Sequence, residues 1–391
     1  MVRRWMYRLA ALLVALLAAE LTFRLLTLDG TLFGEPLPPF GAINTERQAS
    51  WLARLRSEEP FKLAAFDPEL GWEWKPGAAD DAGMVHINSI GARGTREYAP
   101  TPPDGVTRLA FFGDSFTFCD EMPDESSFQH YLETRNDELE ALNFGVNGYG
   151  TDQALLRFRR RGRDLGARVV FIGILVENIG RNANRLRPLW NPKSGFAFPK
   201  PRFRVEDDEL VLVPQPFASR EALVAAFDDG SLLERVTEHE HWLACPDLGF
   251  VSCSRLAQVA ALPFAHRARD PLALWDSDSE PLETTLAVLK TFREEALAAG
   301  AERAPVLLFP SWEDLATLRE KGPEAWEPIP DAVTSLGLEM IDLTGPLLER
   351  QRELDQNPQA GTLHYKGHHS TVGNDVVARV IEQWLLENRI L

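Results

Sequence analysis

Residues 107–117 read TRLAFFGDSFT, an apolar run that ends abruptly at glycine, aspartate and serine. A short apolar run bounded in this way predicts a buried strand, and Gly113 permits a tight turn from the strand into a helix. The turn would place the Ser115 hydroxyl at the rim of a sheet, beside helix N-terminal amides. The motif alone is ambiguous, because Gly-Asp-Ser after a strand is also a common way to begin a helix.

Strands and helices alternate along most of the chain around this stretch. Apolar runs predict five strands, at 107–112, 142–146, 169–176, 305–309 and 338–343, and the intervening patterns predict helices at 128–139, 152–163, 283–299, 312–320 and 372–387. The uninterrupted run 169–176 is typical of a central parallel strand buried on both faces. The alternation predicts the α/β class, with a flavodoxin-like doubly wound parallel sheet in a three-layer α/β/α arrangement.

The pattern divides the chain into three parts. Residues 1–28 form an N-terminal membrane anchor or signal segment, and residues 29–105 form a lead-in rich in Pro, Gly and Trp that we expect to pack on the main domain. Residues 106–391 form the main domain. Within it, the alternation is lost from about 185 to 278, which we interpret as an inserted cap over the sheet.

The N-terminal segment is basic and then apolar. Arg3, Arg4 and Arg8 precede an apolar run at 9–19 that is short for a membrane span and typical of a signal sequence. No small-x-small cleavage site follows, and Glu20 and Arg24 can pair at i,i+4. We therefore expect an uncleaved anchor that leaves the rest of the chain outside the cytoplasm, in the periplasm. Cleavage, or a buried N-terminal helix of a soluble protein, are the alternatives.

The charge balance argues against a nucleic-acid partner. The formal net charge is −17, so no surplus of Lys and Arg is available to neutralise phosphates. Five arginines between positions 157 and 163 form the one dense basic stretch, which we interpret as the polar face of a helix rather than a binding patch.

The three cysteines follow no metal or redox motif. Cys245 and Cys253 are close enough in sequence to close a short disulfide ring outside the cytoplasm, and Cys119 would then be unpaired. Their spacing matches no zinc or thioredoxin-like pattern, and no carboxylate cluster accompanies the histidines near the C-terminus. The sequence predicts neither a metal nor a cofactor.

Polar residues of chemically useful types follow three predicted strands and precede the last helix. Ser115 follows the first strand, the glycine-rich block 143–150 (NFGVNGYG) follows the second, and Asn178 follows the third. Block 364–374 (HYKGHHSTVGN) contains three of the eight histidines. Separately, each block has an ordinary structural explanation: a turn that needs glycine, a strand-end amide, or surface histidines.

In this order, the four blocks resemble those of the SGNH (GDSL-like) serine hydrolase superfamily. The resemblance runs from about 109 to 391 without the insertion, and the stretches 88–94 (NSIGARG), 148–153 (GYGTDQ) and 200–203 (KPRF) are similar to a membrane-anchored bacterial subgroup. It implies the SGNH hydrolase fold, with Ser115 as the nucleophile and His368 as its base. It also implies an oxyanion hole made of the Ser115 and Gly148 N–H groups and the Asn178 side chain.

Two positions depart from the family pattern. The last block of the family reads Asp-x-x-His, and Tyr365 stands where that aspartate would orient the base. The Tyr365 hydroxyl, His364, a backbone carbonyl or a carboxylate from elsewhere are the candidate replacements. Losing the correct orienting group costs ~10⁴ in rate in a serine protease. The second departure is Ile179, which follows Asn178 in place of the family's common aspartate.

The resemblance implies a serine-dependent ester hydrolase that works through an acyl-enzyme. Related members and the expected location indicate an O-acyl, such as O-acetyl, group on an extracytoplasmic carbohydrate, with no cofactor. Two alternatives stay open: an O-acyltransferase of cell-surface polysaccharide modification, and a catalytically weakened binding module on the same scaffold.

Overall fold

A five-stranded parallel sheet forms the centre of the molecule. The computed structural model describes residues 2–57, 61–243 and 254–391. We number the central strands β1 (Thr107–Phe112), β2 (Leu139–Asn143), β3 (Val169–Leu175), β4 (Val306–Phe309) and β5 (Met340–Asp342). They pair in the order β2-β1-β3-β4-β5, all parallel. This is the flavodoxin-like order of a doubly wound sheet, so the predicted fold class is confirmed.

Alternate residues of each strand supply the two halves of the core. Leu109 and Phe111 of β1 face one layer of helices, and Ala110 and Phe112 face the other. The first layer consists of Phe128–Arg135, Thr344–Gln356 and Thr371–Glu387, and the second of Thr151–Arg161, Glu280–Ala298 and Pro328–Ser335. Helix Trp312–Lys321 follows β4. The three-layer α/β/α arrangement is therefore confirmed.

The chain begins with a long exposed helix, Val2–Leu26, of 25 residues. At 1.5 Å per residue it is about 37 Å long, and the segment Arg3–Leu26, whose most apolar 18-residue window has a mean hydropathy of 2.1, is long and apolar enough to cross a membrane. The predicted pair is present, because Arg24 Nε donates to Glu20 Oε1 at 2.7 Å. A small hairpin follows, with strands Thr31–Leu32 and Glu35–Pro36.

The segment 29–105 contains more regular structure than its composition predicts. It forms helix Glu46–Arg56 and a hairpin of strands Ala64–Asp67 and Gly71–Trp74. All four residues of the second strand are buried. Trp51 and Trp72 join Phe198 and Trp242 of the insertion in a third apolar cluster beside the sheet.

The insertion at about 185–278 is a set of short elements. Its described elements are helices Arg187–Trp190, Arg220–Asp228, Leu232–Thr237, Arg255–Arg267 and Pro271–Trp275, the turn His241–Leu243, and a hairpin of strands Arg202–Glu206 and Glu209–Val213. Cys119 is buried and unpaired. The predicted disulfide between Cys245 and Cys253 lies outside the described residues.

The arginine-rich helix differs from the solvated polar face that its sequence predicts. Arg157 is fully buried and its Nη1 donates to Glu73 Oε1 of the lead-in hairpin at 2.9 Å. Arg160 binds Asp67 of the same hairpin, and Arg159 binds Glu295. These arginines therefore hold neighbouring segments against the helix.

Candidate active site

Ser115 lies at the carboxyl edge of the sheet, directly after β1. Asp114 begins the short helix Ser115–Phe118, and its Oδ1 accepts the Phe116 N–H at 2.9 Å. Open α/β sheets bind ligands at this edge. The predicted tight turn is therefore present, and it fixes the backbone that carries the serine.

A hairpin near the C-terminus brings His368 to this serine. Strands His364–Tyr365 and His368–His369 pair antiparallel, and Lys366 and Gly367 between them both have positive φ, as a two-residue hairpin turn requires. His368 Nε2 lies 2.8 Å from Ser115 Oγ, although the residues are 253 positions apart. Ser115 and His368, which the resemblance assigns as nucleophile and base, are therefore joined by a direct hydrogen bond, and the two roles stay predictions.

The two neighbouring histidines occupy different environments. The His369 ring is buried edge-on against Phe116 with ring centroids 4.9 Å apart, and burial lowers its pKa well below the usual value. Burial, reinforced by nearby His368, lowers the pKa of His364 to about 4. Among the described residues, only His368 of the three hydrogen-bonds Ser115. The family register, which selects His368, agrees with this geometry.

The structure brings neither predicted orienting side chain to the other ring nitrogen of His368. Nδ1 is buried and has no hydrogen-bond partner in the described part of the chain. Tyr365 is 47% exposed and its ring lies beside Lys366 Nζ, while the His364 ring faces His369. Ser115 and His368 therefore form a dyad in this structure.

Gly148 lines the same cleft as Ser115 and His368. Its φ of 79° is left-handed, and a Cβ on it would lie 2.5 Å from Phe196 Cζ, so glycine is required for conformation and for space. The peptide that carries its N–H is held from the other side, because Trp72 Nε1 donates to Asn147 O at 2.9 Å. Arg187 Nη1 donates to Gly148 O at 2.9 Å. Gly148 therefore lies at the cleft in a loop whose carbonyls at 147 and 148 are both held by side chains.

The lead-in hairpin makes two more bonds to this region. Trp74 Nε1 donates to Gly145 O at 3.0 Å, and the Tyr149 hydroxyl donates to Trp72 O at 2.5 Å. The Pro-, Gly- and Trp-rich composition of the lead-in predicts no regular structure around these tryptophans. The one available signal was their i,i+2 spacing, which is the period of a strand.

The amide of Asn178, which the resemblance assigns to the oxyanion hole, has hydrogen-bond partners inside the protein. It is buried and is absent from the residues that line the cleft. Its Nδ2 donates to Asp114 Oδ2 at 3.0 Å, and its Oδ1 accepts the Leu175 N–H at 2.9 Å. Nδ2 also lies 3.4 Å from Tyr149 O, so both N–H groups of this amide have acceptors among the described residues, and the amide supports Asp114.

The cleft has a volume of about 980 Å³ and mixed aromatic and charged walls. Phe116 of the main domain lines it, and the rest of its phenylalanine and tryptophan lining comes from the lead-in and the insertion: Trp51, Phe61, Trp72, Trp74, Phe196 and Phe198. Two buried arginines, Arg181 and Arg187, also line it. Burial lowers the pKa of Arg181 to about 9 and that of Arg187 to about 10, so both stay cationic near neutral pH.

Fold and site together define an α/β domain with a serine–histidine pair at the carboxyl edge of its sheet. Solved structures similar to the chain are lipolytic proteins of the G-D-S-L family and acetylxylan esterases. A G-D-S-L family member from Veillonella parvula is 11% identical, with a TM-score of 0.34, over 71% of this chain and 97% of the other.

Two acetylxylan esterase structures give comparable values. A catalytic mutant of the enzyme from Geobacillus stearothermophilus is 12% identical, with a TM-score of 0.37, over 72% of this chain and 95% of the other. An acetyl xylan esterase named AlAXEase is 13% identical, with a TM-score of 0.37, over 71% and 99%. No family model and no curated protein matches the chain. The proposal below therefore rests on the residues of the site.

Proposed function

We propose that the chain is a serine esterase that forms an acyl-enzyme on Ser115. The observation that carries the proposal is the 2.8 Å hydrogen bond between Ser115 Oγ and His368 Nε2 at the edge of a large cleft. A serine hydroxyl is a weak nucleophile at neutral pH, and a histidine at this distance can accept its proton as it attacks. The attack converts an ester carbonyl into a tetrahedral oxyanion.

The backbone supplies the oxyanion donors in this proposal. The N–H groups of Ser115 and Gly148 are the two candidates, and donors of this kind are worth ~3–4 kcal/mol each in a hydrolase. His368 then returns the proton to the leaving alcohol, and it activates a water that releases the acyl group from Ser115. Asn178 takes no part, because its amide is bonded to Asp114.

The unpartnered Nδ1 of His368 predicts a slow enzyme. For Nε2 to accept the serine proton, the neutral ring must carry its hydrogen on Nδ1, and an acceptor at Nδ1 normally selects that tautomer. Here the described residues provide no such acceptor, and no carboxylate stabilises the imidazolium that forms. We therefore expect turnover well below that of an enzyme with a complete triad.

The proposed substrate is an O-acyl, most simply O-acetyl, ester of a carbohydrate outside the cytoplasm. The aromatic walls of the cleft provide apolar faces beside polar groups, and the volume exceeds what an acetyl group alone needs. The basic residues Arg3, Arg4 and Arg8 before the apolar helix support a cytoplasmic N-terminus. That orientation would leave the catalytic domain in the periplasm, held by the anchor.

The test uses the full chain in detergent with p-nitrophenyl acetate and a fluorophosphonate probe. The parent should turn over the ester slowly and label at Ser115, and Ser115→Ala should do neither. Thr317→Ala is the matched control, because it removes another hydroxyl from the cleft wall and should keep both activities. Turnover by Ser115→Ala equal to the parent would refute the proposal. A chain that neither hydrolyses nor labels would be a binding module, and acetyl transfer to a sugar faster than to water would make it a transferase.

A further inference from the structure

The outer end of the N-terminal helix is bonded to one helix of the insertion. Glu20 accepts hydrogen bonds from Ser254 Oγ at 2.8 Å, from the Arg255 N–H at 3.2 Å and from the Leu256 N–H at 3.0 Å. These groups form the N-terminus of helix Arg255–Arg267. A carboxylate satisfies such free amides well, so the two helices are held together at this point.

This contact fixes the height of the insertion helix relative to a membrane. A span needs about 20 residues, so one that starts after Arg4, with the Arg8 side chain extending back to the inner head groups, ends near Arg24. Glu20 then lies in the last turn of the span, at the boundary between hydrocarbon and head groups. Helix Arg255–Arg267 starts beside Glu20, so it starts at the membrane surface.

The far end of the same helix is also tied to the outer end of the anchor. His266 Nε2 lies 3.9 Å from Glu35 Oε2 of the small hairpin that follows the N-terminal helix. Phe264 lies nine residues after Arg255, about 13 Å along the helix at 1.5 Å per residue. The insertion helix therefore begins beside Glu20 of the anchor and ends near the hairpin that follows the anchor.

Large apolar side chains are exposed on the insertion helix and on the segment that follows the anchor. Phe264 is 76% exposed, Leu28 is 81% exposed and Phe33 is 93% exposed. Phe33 lies in the tip of the hairpin with φ 51°, a left-handed conformation that favours glycine or asparagine. A bulky apolar residue at an exposed, conformationally unfavourable tip needs an explanation other than folding.

We propose that this surface, defined by Leu28, Phe33 and Phe264, docks onto the outer leaflet of the membrane that holds the N-terminal helix. The occupant is the lipid bilayer, because the surface continues directly from the apolar span. Aromatic residues favour the interface, and exposed Arg267 on the same helix suits anionic head groups. The proposal rests on the membrane anchor in the proposed function and is independent of the esterase chemistry.

Docking would also position the cleft. Asp270 and Pro271, which line the cleft, follow the insertion helix by only a few residues. A helix held on the bilayer would therefore keep one cleft wall close to the membrane surface, and the enzyme would act on esters presented there.

Photo-crosslinking of the full chain in nanodiscs of phosphatidylethanolamine and phosphatidylglycerol tests this proposal. Phe264→p-benzoylphenylalanine and Phe33→p-benzoylphenylalanine should both give lipid adducts by mass spectrometry. The matched control is Leu386→p-benzoylphenylalanine, which is 58% exposed and should give none. Leu386 belongs to the last helix, whose end is bonded to Arg168 just before β3, at the opposite edge of the sheet from the cleft.

A fourth variant distinguishes failure of the docking proposal from failure of the membrane anchor. Leu13→p-benzoylphenylalanine reports on the anchor itself, in the middle of the apolar helix. Lipid adducts at position 13 without adducts at 264 and 33 would overturn the docking and leave the anchor intact. The absence of a lipid adduct at position 13 would refute both the membrane anchor and the docking. Thermal unfolding of each variant checks that it is folded, and none of these readouts depends on ester turnover.

Discussion

The indole N–H of Trp72 should determine how well Gly148 serves as an oxyanion donor. Trp72 Nε1 holds the carbonyl oxygen of Asn147 at 2.9 Å, and the same peptide unit carries the Gly148 N–H. A hydrogen bond to a carbonyl orients its peptide and polarises the opposite N–H. Trp72→Phe removes this donor and keeps an aromatic ring in a buried position between Tyr149 and Phe198.

The size of the effect follows from two quantities. An oxyanion donor is worth ~3–4 kcal/mol when its geometry is correct. Losing the hydrogen bond that orients it should forfeit part of this, roughly 1–2 kcal/mol, which corresponds to a fall in kcat of about 5- to 30-fold. KM should change little, since the substrate carbonyl binds this N–H strongly only once negative charge develops.

The matched control is Trp74→Phe, because Trp74 Nε1 makes an equivalent bond to Gly145 O at 3.0 Å from the same strand. Both variants leave one carbonyl without its donor, so both should lose similar stability, about 1–3 kcal/mol. Only Trp72→Phe should show the fall in kcat for p-nitrophenyl acetate. Equal kcat losses in the two variants, or an unchanged kcat in Trp72→Phe, would refute the reasoning.

Three further predictions concern the histidine hairpin. His368→Ala should be as inactive as Ser115→Ala, and the double variant should be no less active than either single variant. His369→Ala should keep kcat, and its free energy of unfolding, measured in urea, should be lower by about 2 kcal/mol or more. The His364 pKa of about 4 lies below its unfolded value, so the unfolded chain binds more protons and stability should fall as pH drops from about 6.5 to about 4, by up to ~3 kcal/mol. His364→Gln should reduce this pH dependence and leave the part due to His369, whose pKa burial also lowers; an unaltered slope would contradict the prediction. Tyr365→Asp should raise kcat for p-nitrophenyl acetate. Residue 365 pairs directly with His368 across the hairpin, at a Cβ separation of about 4.5–5.5 Å, so an aspartate there is within reach of Nδ1. An unchanged kcat would count against the explanation that turnover is slow because Nδ1 has no partner.

The central sheet could be predicted because strands buried on both faces are continuous apolar runs. The exception is β2, which runs from Leu139 to Asn143 and not over 142–146. Its second residue, Glu140, is buried and bonded to Arg108 of β1, with Oε2 2.8 Å from Nε. A charged residue that pairs with a buried residue of another strand interrupts the apolar run, so local hydrophobicity does not identify the strand.

The lead-in hairpin was missed for the same reason. Glu73 lies in the middle of its second strand and is buried against Arg157, which is 84 positions away in the sequence. The five arginines looked like a solvated helix face because their carboxylate partners could not be recognised locally. Long-range ion pairs of this kind are visible only after the fold has brought both partners together.

Ser115, Gly148 and His368 could be assigned to one cleft because each lies in a block that follows a strand or precedes the last helix, and parallel strands end at a common edge. Their catalytic roles stay predictions. Asn178 shares that position, and its sequence gives no sign that its amide is already used. The deciding partner is Asp114, whose carboxylate it reaches only in the folded structure. The order of the blocks along the chain therefore predicts which loops meet at the cleft. It does not predict which side chains already have hydrogen-bond partners within the protein.

Asp114 fixes the turn that carries Ser115, whereas no described residue makes a hydrogen bond to Nδ1 of His368. Its carboxylate accepts the Phe116 N–H, the Asn178 amide and Arg181 Nη1, the last two at 3.0 Å. These bonds fix the turn that carries Ser115, and no hydrogen bond joins Asp114 to His368 Nδ1 in the described part of the chain. With Tyr365 in the family's aspartate position, the described residues hold the nucleophile rigidly and leave the base to its own tautomeric equilibrium. The rate should therefore be limited by the protonation geometry of His368 and much less by the placement of Ser115.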